Sequence, residues 1–467
     1  MNSIDLNNLF PKKTISFNSD EVFDMAIIGA GVVGTAIFKE FCEQGAKTLL
    51  VEKENDILEG ASKGNSAILH TGFDAPPNSL ELECVKRGYE EYMKIKKELN
   101  LPMLKTGAMV VAWNDEQLGK LDGILQKGLS NGVKELEPIT RTKLLKTEVN
   151  LSNDVKGAII IHGESVIDAW STPLAYLTKG IQAGGKTAFS CELKDGHYTG
   201  EYWELETNKK LIKAKVVINA AGLYGDIVEK IRTKDGFKIM PRKGQFIIYD
   251  DSAYTLINSI ILPVPTKRTK GVVITKTAFG NLLVGPTAEE QDSKTSSITL
   301  GETIKELQNK AEAMLPALKN HCIKATFAGL RPASDENYYR VGINDEKNWI
   351  TVGGIRSTGL TSALGLAKHV FELNDTKYEV KDKEENAYMV PNISEFKTRD
   401  YQKEGYGKIV CHCELVTHRE IKNACKGDTA AGTMGGLRRR TRATLGRCQG
   451  FNCISSVSSI IEKELKS

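Results

Sequence analysis

Apolar runs and polar spacers alternate along this chain in blocks that read as strand, turn and helix. The run Phe23-Asp24-Met25-Ala26-Ile27-Ile28 predicts a buried strand, residues 29–34 a glycine-rich turn, and the following positions a helix to about Gln44. Gly45 stops that helix, and Lys47-Thr48-Leu49-Leu50-Val51-Glu52 reads as the next buried strand. Residues 80–100 carry the spacing of an amphipathic helix, while 108–113 and 245–249 read as strands. No unit recurs with a period of roughly 20–50 residues. From about 375 to 407 the chain is rich in Lys, Glu, Asp and Asn, which predicts a linker or a wrapping strap. A compact tail, 408–467, follows. Residues 1–21 lack the apolar stretch of a signal peptide and predict a solvent-exposed arm.

Composition narrows the classes. The 467 residues suggest about three domains. A net charge of +4 excludes a chain that binds nucleic acid along its whole length. Ordinary Gly and Pro content excludes disordered and collagen-like chains. No apolar run approaches the roughly 18 residues needed to span a bilayer. The nine cysteines, an odd number, point to reduced thiols rather than a secreted disulfide scaffold. The expected location is the cytoplasm, with peripheral attachment to the inner face of the membrane through a partner.

Gly29-Ala30-Gly31-Val32-Val33-Gly34 satisfies G-x-G-x-x-G between a strand and a helix, and Glu52 ends the second strand 23 residues after Gly29. In that arrangement Gly29 turns the chain, Gly31 admits a pyrophosphate and Gly34 lets helix and strand pack closely. The helix N-terminus then holds the phosphates, and Glu52 accepts from the adenosine ribose. Downstream, residues 215–222 form an apolar strand entering the small-residue turn Ala220-Ala221-Gly222. A third piece is Val352-Gly353-Gly354-Ile355-Arg356-Ser357-Thr358-Gly359-Leu360-Thr361. Together the three resemble the glutathione-reductase-type flavoproteins of the D-amino-acid-oxidase-like branch, which implies FAD rather than NAD. The resemblance implies cofactor contacts from Gly29, Gly31, Gly34, Glu52, Lys53, Ser62, Asn65, Ser66, Ala221, Gly222, Gly354, Gly359, Leu360 and Thr361.

Residues 60–72, Gly60-Ala61-Ser62-Lys63-Gly64-Asn65-Ser66-Ala67-Ile68-Leu69-His70-Thr71-Gly72, form a polar loop beyond a strand end. They resemble the flavin-facing loop of FAD-dependent glycerol-3-phosphate and L-2-hydroxyglutarate dehydrogenases. His70 is the candidate general base; its alternative role is to hydrogen-bond the flavin or a neighbouring loop. Ala328-Gly329-Leu330-Arg331-Pro332 resembles the family segment that places an arginine over the flavin, implying that Arg331 fixes an anionic substrate. Arg340 and Arg356 are further candidate substrate contacts. Lys267, Arg268 and Lys270 read as a solvated basic loop, and residues 241–245 as a turn into the substrate-domain sheet without chemistry of their own.

Four cysteines fall in the tail as Cys411-x-Cys413 and, after 34 intervening residues, Cys448-x4-Cys453. Two turns presenting two thiolates each suit a soft metal centre, zinc or iron–sulfur. The spacing resembles the bacterioferritin-associated-ferredoxin-like [2Fe–2S] domain, in particular the one ending the A subunit of anaerobic glycerol-3-phosphate dehydrogenases. Thr417-His418-Arg419-Glu420 predicts a capping box opening a short helix. The other five cysteines, Cys42, Cys84, Cys191, Cys322 and Cys425, are expected in the core. Residues 400–467 hold 12 Lys/Arg against 7 Asp/Glu, so the tail carries +5 and the rest of the chain −1. Three uses present themselves for those arginines: offsetting the charge of a cluster, docking an acidic electron-transfer partner or, least of the three because no recognised nucleic-acid module accompanies them, binding nucleic acid.

The expected fold is α/β: a glutathione-reductase-type, Rossmann-like FAD domain, an inserted α+β substrate domain and a small helical [2Fe–2S] domain. The FAD segments are placed at about 22–80, 150–235 and 340–375, and the substrate domain at about 81–149 and 236–339. A linker at 376–407 and the cluster domain at 408–467 complete the chain. The resemblance implies oxidation of sn-glycerol 3-phosphate to dihydroxyacetone phosphate by hydride transfer to flavin N5. Electrons would leave through the cluster to a partner subunit or quinone. An L-2-hydroxyglutarate or other 2-hydroxy-acid dehydrogenase, an amine-oxidising subunit and a non-catalytic electron-transfer subunit are the alternatives.

Overall fold

The computed structural model describes residues 6–13, 17–265, 271–344, 346, 348–374, 376, 378–380 and 389–466. The basic loop of Lys267, Arg268 and Lys270 lies outside them. β1 (Val22–Ile28) sits mid-sheet because both of its faces are apolar, with Phe23, Met25, Ala26 and Ile27 fully buried. It pairs in parallel with β2 (Thr48–Val51) on one side and with the strand Ile212–Asn219 on the other. Lys186–Ala188 and Trp349–Gly353 extend the parallel set, and antiparallel strands bring the sheet to eight. α1 (Val32–Glu43) joins β1 to β2. It buries Ala36, Ile37, Phe38 and Phe41 under a layer shared with helices Ser171–Gln182 and Gly359–Glu372.

A second, nine-stranded sheet carries its own apolar core, in which Met109, Ile160, Ile247, Ile261, Ile274 and Val284 meet. Its strands Arg242–Tyr249 and Ile323–Arg331 run antiparallel, and the register sets Arg242 directly opposite Arg331. Two expected boundaries differ from the structure. Helix Leu80–Ile95 packs on Gly359–Glu372 beside the first sheet, because its Cys84 and Tyr92 face that core. Strand Gly157–Ile161, placed by sequence among the FAD segments, pairs with Ala108–Ala112 in the second sheet.

The expected solvent-exposed arm is instead an anchor. Phe10 is buried with Val410, Met434 and Leu437 of the tail, and Phe17 meets Phe23 edge-to-face at 5.2 Å. Aromatic burial outweighs the polar composition of this segment. The strap also binds tightly along its described second half. Val390 exchanges hydrogen bonds with Leu99 and Asn100, Glu395 N–H donates to the Ala278 carbonyl at 2.9 Å, and Arg399 is fully buried.

The tail forms a hairpin (Ile409–Cys411 with Val416–Thr417) and three helices, His418–Ala424, Met434–Thr441 and Ile454–Lys466. The capping box is present: Thr417 Oγ1 accepts from Glu420 N–H at 3.1 Å, and Glu420 returns a carboxylate to Thr417 N–H at 2.8 Å. Of the five other cysteines four are buried, whereas Cys322 is exposed, just ahead of the strand Ile323–Arg331. Among the described residues no helix is long and apolar enough to cross a membrane.

Candidate active site and cluster domain

A cleft of 1390 Å³ runs from the carboxyl ends of β1 and β2 to the rim of the second sheet. That exceeds the roughly 300–1,000 Å³ of sites for drug-sized ligands and leaves room for a dinucleotide together with a small substrate. Its first wall is the glycine turn. Gly29 has φ of +106°, and a Cβ on Gly34 would lie 1.9 Å from the Gly29 carbonyl, so neither position admits a side chain. Gly31 caps α1 without a side-chain hydrogen bond, and no acidic residue stands in the first turn. This leaves an electropositive helix end facing the cleft, which suits a pyrophosphate.

Glu52 follows β2 directly and accepts from Ala30 N–H at 2.7 Å and Glu54 N–H at 2.9 Å. Burial pushes its carboxyl up to about 7 despite those two donors, so additional donors such as ribose hydroxyls would favour its charged form. Lys53 Nζ lies 3.5 Å from the centre of the Tyr224 ring beside it. Ser62 Oγ accepts from Val32 N–H at 3.1 Å, tying the 60–66 loop to the start of α1. Asn65 closes that loop on itself through Ser62 and Ala67. Ser66, Ala221, Gly222, Gly354, Gly359 and Leu360 line the same cleft. Thr361 does not line it; its hydroxyl accepts from His70 N–H at 3.0 Å. Replacing Gly34 with Ala is expected to leave the purified protein nearly free of flavin, measured as flavin absorbance per protein, because a Cβ at that distance forces helix and turn apart.

His70 lines the cleft, and its Nδ1 stands 2.8 Å from Glu164 Oε2. Glu164 comes from the turn before strand Ser165–Ile167 and had no motif to betray it. Arg331 ends its strand inside the cleft, where Nη2 donates to the Thr287 carbonyl at 2.5 Å. Gly244 leaves the space: a Cβ there would lie 2.7 Å from that nitrogen. Thus residues 241–245, read as a plain turn, shape the arginine's seat. Burial, with Arg242 adding repulsion, pulls the Arg331 guanidinium down to about 10. Arg242 pairs with Glu290 at 3.0 Å, whereas Arg331 has no ion pair among the described residues. Arg356 also lines the cleft and is held by Asn337. Arg340 is not brought to the site. It pairs with Asp335 at 3.0 Å and Glu336 at 3.3 Å, so neighbouring carboxylates neutralise the charge that was expected to bind substrate.

In the tail the four thiols lie near enough to act on one another: Cys448 and Cys411 act on Cys413, and Cys411 and Cys448 on Cys453. Backbone N–H groups of Asn452 and Gly450 donate to Cys448 and hold its thiol below the usual range. Cys411 and Cys453 are buried, Cys413 is exposed, and Phe451 between the last two cysteines is 90% exposed. Among the described residues no trio of His, Cys, Asp or Glu is spaced to close on a single ion. The fit to a four-thiolate group rests on the two converging thiol pairs and on the sulfur donor set.

The arginine run is not spread around these thiols. Arg439 binds Glu59, Arg440 binds Asp56, and Arg442 binds Glu414 and Glu395. Their side chains are 8%, 7% and 5% exposed, so the expectation that they serve a cluster's charge or an acidic partner is corrected for them. Arg438, in the same run, acts on a tail thiol of the motif, Cys453.

The family pattern of FAD-dependent oxidoreductases matches residues 24–373, and that of the BFD-like [2Fe-2S] binding domain matches residues 409–463. The chain belongs to the FAD-dependent oxidoreductase family, and it carries FAD and a [2Fe–2S] cluster. It is similar over nearly its whole length to the glycerol 3-phosphate dehydrogenase of Caloramator mitchellensis, 33% identical over 454 residues that make up 95% of each chain. The glycerol 3-phosphate oxidase of Mycoplasma pneumoniae is 28% identical over 384 residues, 80% of this chain and 100% of the oxidase. The solved structure of the L-alpha-glycerophosphate oxidase from M. pneumoniae with FAD bound superposes with a TM-score of 0.75 at 25% identity, covering 80% of this chain and 100% of that one.

Proposed function

We propose that the protein oxidises sn-glycerol 3-phosphate to dihydroxyacetone phosphate and passes the electrons through its tail cluster to a partner protein or quinone. The observation that carries this reading is the Arg242–Arg331 pair. Like charges opposite each other across two strands repel, and among the described residues only Arg242 has a carboxylate partner. An anion in the cleft, bound by the forked guanidinium of Arg331, removes that cost. The similarity to the Caloramator glycerol 3-phosphate dehydrogenase supports phosphate as the anion. The match to the oxidase ends at 80% of this chain, and the dehydrogenase match extends to 95%, which supports an electron exit in place of direct oxygen use.

Bound FAD supplies a hydride acceptor at its N5, and the cluster a one-electron outlet. Arg331 holds the substrate anion, while Arg356 adds positive field to the same wall. His70 takes the hydroxyl proton on Nε2, since Nδ1 is committed to Glu164. Cys411, Cys413, Cys448 and Cys453 would hold the cluster, and Cys413 is the exposed one of the four, on the side from which an acceptor would approach. Anaerobic mixing tests the substrate: rapid bleaching of the flavin band by sn-glycerol 3-phosphate supports the proposal. Bleaching by L-2-hydroxyglutarate alone would move the assignment to a carboxylate substrate, and bleaching by neither would remove turnover from the site.

Replacing all four tail cysteines with serine is expected to abolish iron binding and leave flavin bound, read from iron and flavin content. Retained iron would overturn the ligand assignment.

A further inference from the structure

Glu164 is a buried charge with an unusual set of neighbours. Its side chain is 0% exposed, against 28% for His70. Oε1 accepts from Thr71 N–H at 2.6 Å and from Thr71 Oγ1 at 2.9 Å, and Oε2 faces His70 Nδ1 at 2.8 Å. Tyr89, a titratable group on which Glu164 acts, donates its hydroxyl to the Gly163 carbonyl. Burial, with the Glu164 charge behind it, raises the Tyr89 phenol, so Tyr89 stays neutral. Among the described residues the ion-pair partner of Glu164 is His70 alone. A carboxylate taken out of water costs several kcal/mol unless well paired, so this one is held in place for what it does to the imidazole.

We infer that Glu164 is a positioning residue that fixes the tautomer of His70. An ionised carboxylate only accepts, so Nδ1 must carry the ring proton and donate it. That leaves the lone pair on Nε2, the nitrogen that remains for the cleft. When the substrate alcohol is oxidised, its hydride goes to the flavin and its hydroxyl proton to Nε2. The resulting imidazolium then lies against the carboxylate, and Glu164 itself takes no proton. His70 N–H, bound to Thr361 Oγ1 at 3.0 Å, fixes the backbone end of the same residue. Backbone and ring are thereby held from two different elements, the helix Gly359–Glu372 and the turn at Glu164. This rests on the reading of His70 as the proton acceptor.

Glu164→Gln separates this role from a purely structural one. Thr71 N–H can only donate, so the amide oxygen must stay toward Thr71, and the amide NH2 then faces His70. The fold keeps its Thr71 contacts, but Nδ1 is forced to accept and the proton moves to Nε2. With 15N-histidine-labelled holoenzyme, the His70 signal, identified by its loss in His70→Asn, is expected to switch from the Nδ1–H to the Nε2–H pattern. The kcat for the flavin-reducing half-reaction is expected to fall about 10²- to 10⁴-fold, as for loss of a positioned base, with KM changed far less. Glu164→Asp keeps an acceptor-only group, so it is expected to keep the Nδ1–H pattern and more turnover than Gln. An Nδ1–H pattern persisting in Glu164→Gln overturns the proposal, whatever the rate does. So does an Nε2–H pattern with undiminished kcat while His70→Asn is slow. Unchanged kcat in His70→Asn instead overturns the role of His70 as proton acceptor and leaves the tautomer measurement to judge Glu164 by itself. Equal flavin content in all the variants confirms that the comparison is between folded enzymes.

Discussion

Replacing Arg331 with methionine is expected to lower kcat/KM for the anionic substrate about 30- to 5,000-fold, the equivalent of roughly 2–5 kcal/mol for a truncated, buried charge-assisted contact. The side chain's volume is largely kept, so packing around Gly244 and Thr287 should hold and flavin content should not change. Arg331→Lys keeps the charge but not the fork, and is expected to lie between the two enzymes. A methionine variant as efficient as the parent would take the substrate anion away from Arg331.

Local features of this fold were legible because local physics makes them. The strand, glycine turn and helix around residues 23–44 depend on neighbours in sequence, as does the Thr417–Glu420 capping box, and each stands where its pattern put it. The flavin-type and cluster motifs were readable for the same reason. Long-range pairing was not. Glu164 lies 94 residues from His70, and nothing in the sequence near either shows that they meet. Arg340 looked available only because its carboxylates, Asp335 and Glu336, are ordinary surface residues until the turn brings them round. The seat of Arg331 depends on Gly244, 87 residues earlier, which only the antiparallel register makes a neighbour. Net charge misled for a related reason. A tail of +5 looked like a surface property, yet the side chains of Arg439, Arg440 and Arg442 are covered against acids from the first 60 residues and from the strap.

That arrangement makes Arg440→Met the substitution with the largest expected effect on the assembly of the protein. Arg440 meets Asp56 through two hydrogen bonds of 2.9 and 2.8 Å, and Asp56 is fully buried. Burial would raise the Asp56 carboxyl, but Arg440, with Lys13 behind it, outweighs burial and holds it below the usual range. A carboxyl lowered on folding stabilises the fold above its ordinary value of 3.8, and the contribution is lost only as pH falls below that. The clamp should thus be intact from neutrality to pH 5 or so. Removing the arginine leaves a buried, unpaired carboxylate at a cost of about 3–5 kcal/mol. Residues 55–59 lie between Glu52 and the loop starting at Gly60, so the strain reaches the FAD site directly. Expected results are a lower Tm, faster protease cleavage in the strap and weaker FAD retention. Saturating FAD should slow that cleavage, because coupling between two binding events is reciprocal. Asp56→Asn combined with Arg440→Met removes both charges and should recover much of the lost stability, since replacing a whole buried pair costs far less than breaking one. If Arg440→Met alone leaves Tm, cleavage and FAD retention unchanged, the arginines are not a clamp, and their charge is available to the cluster or to a partner after all.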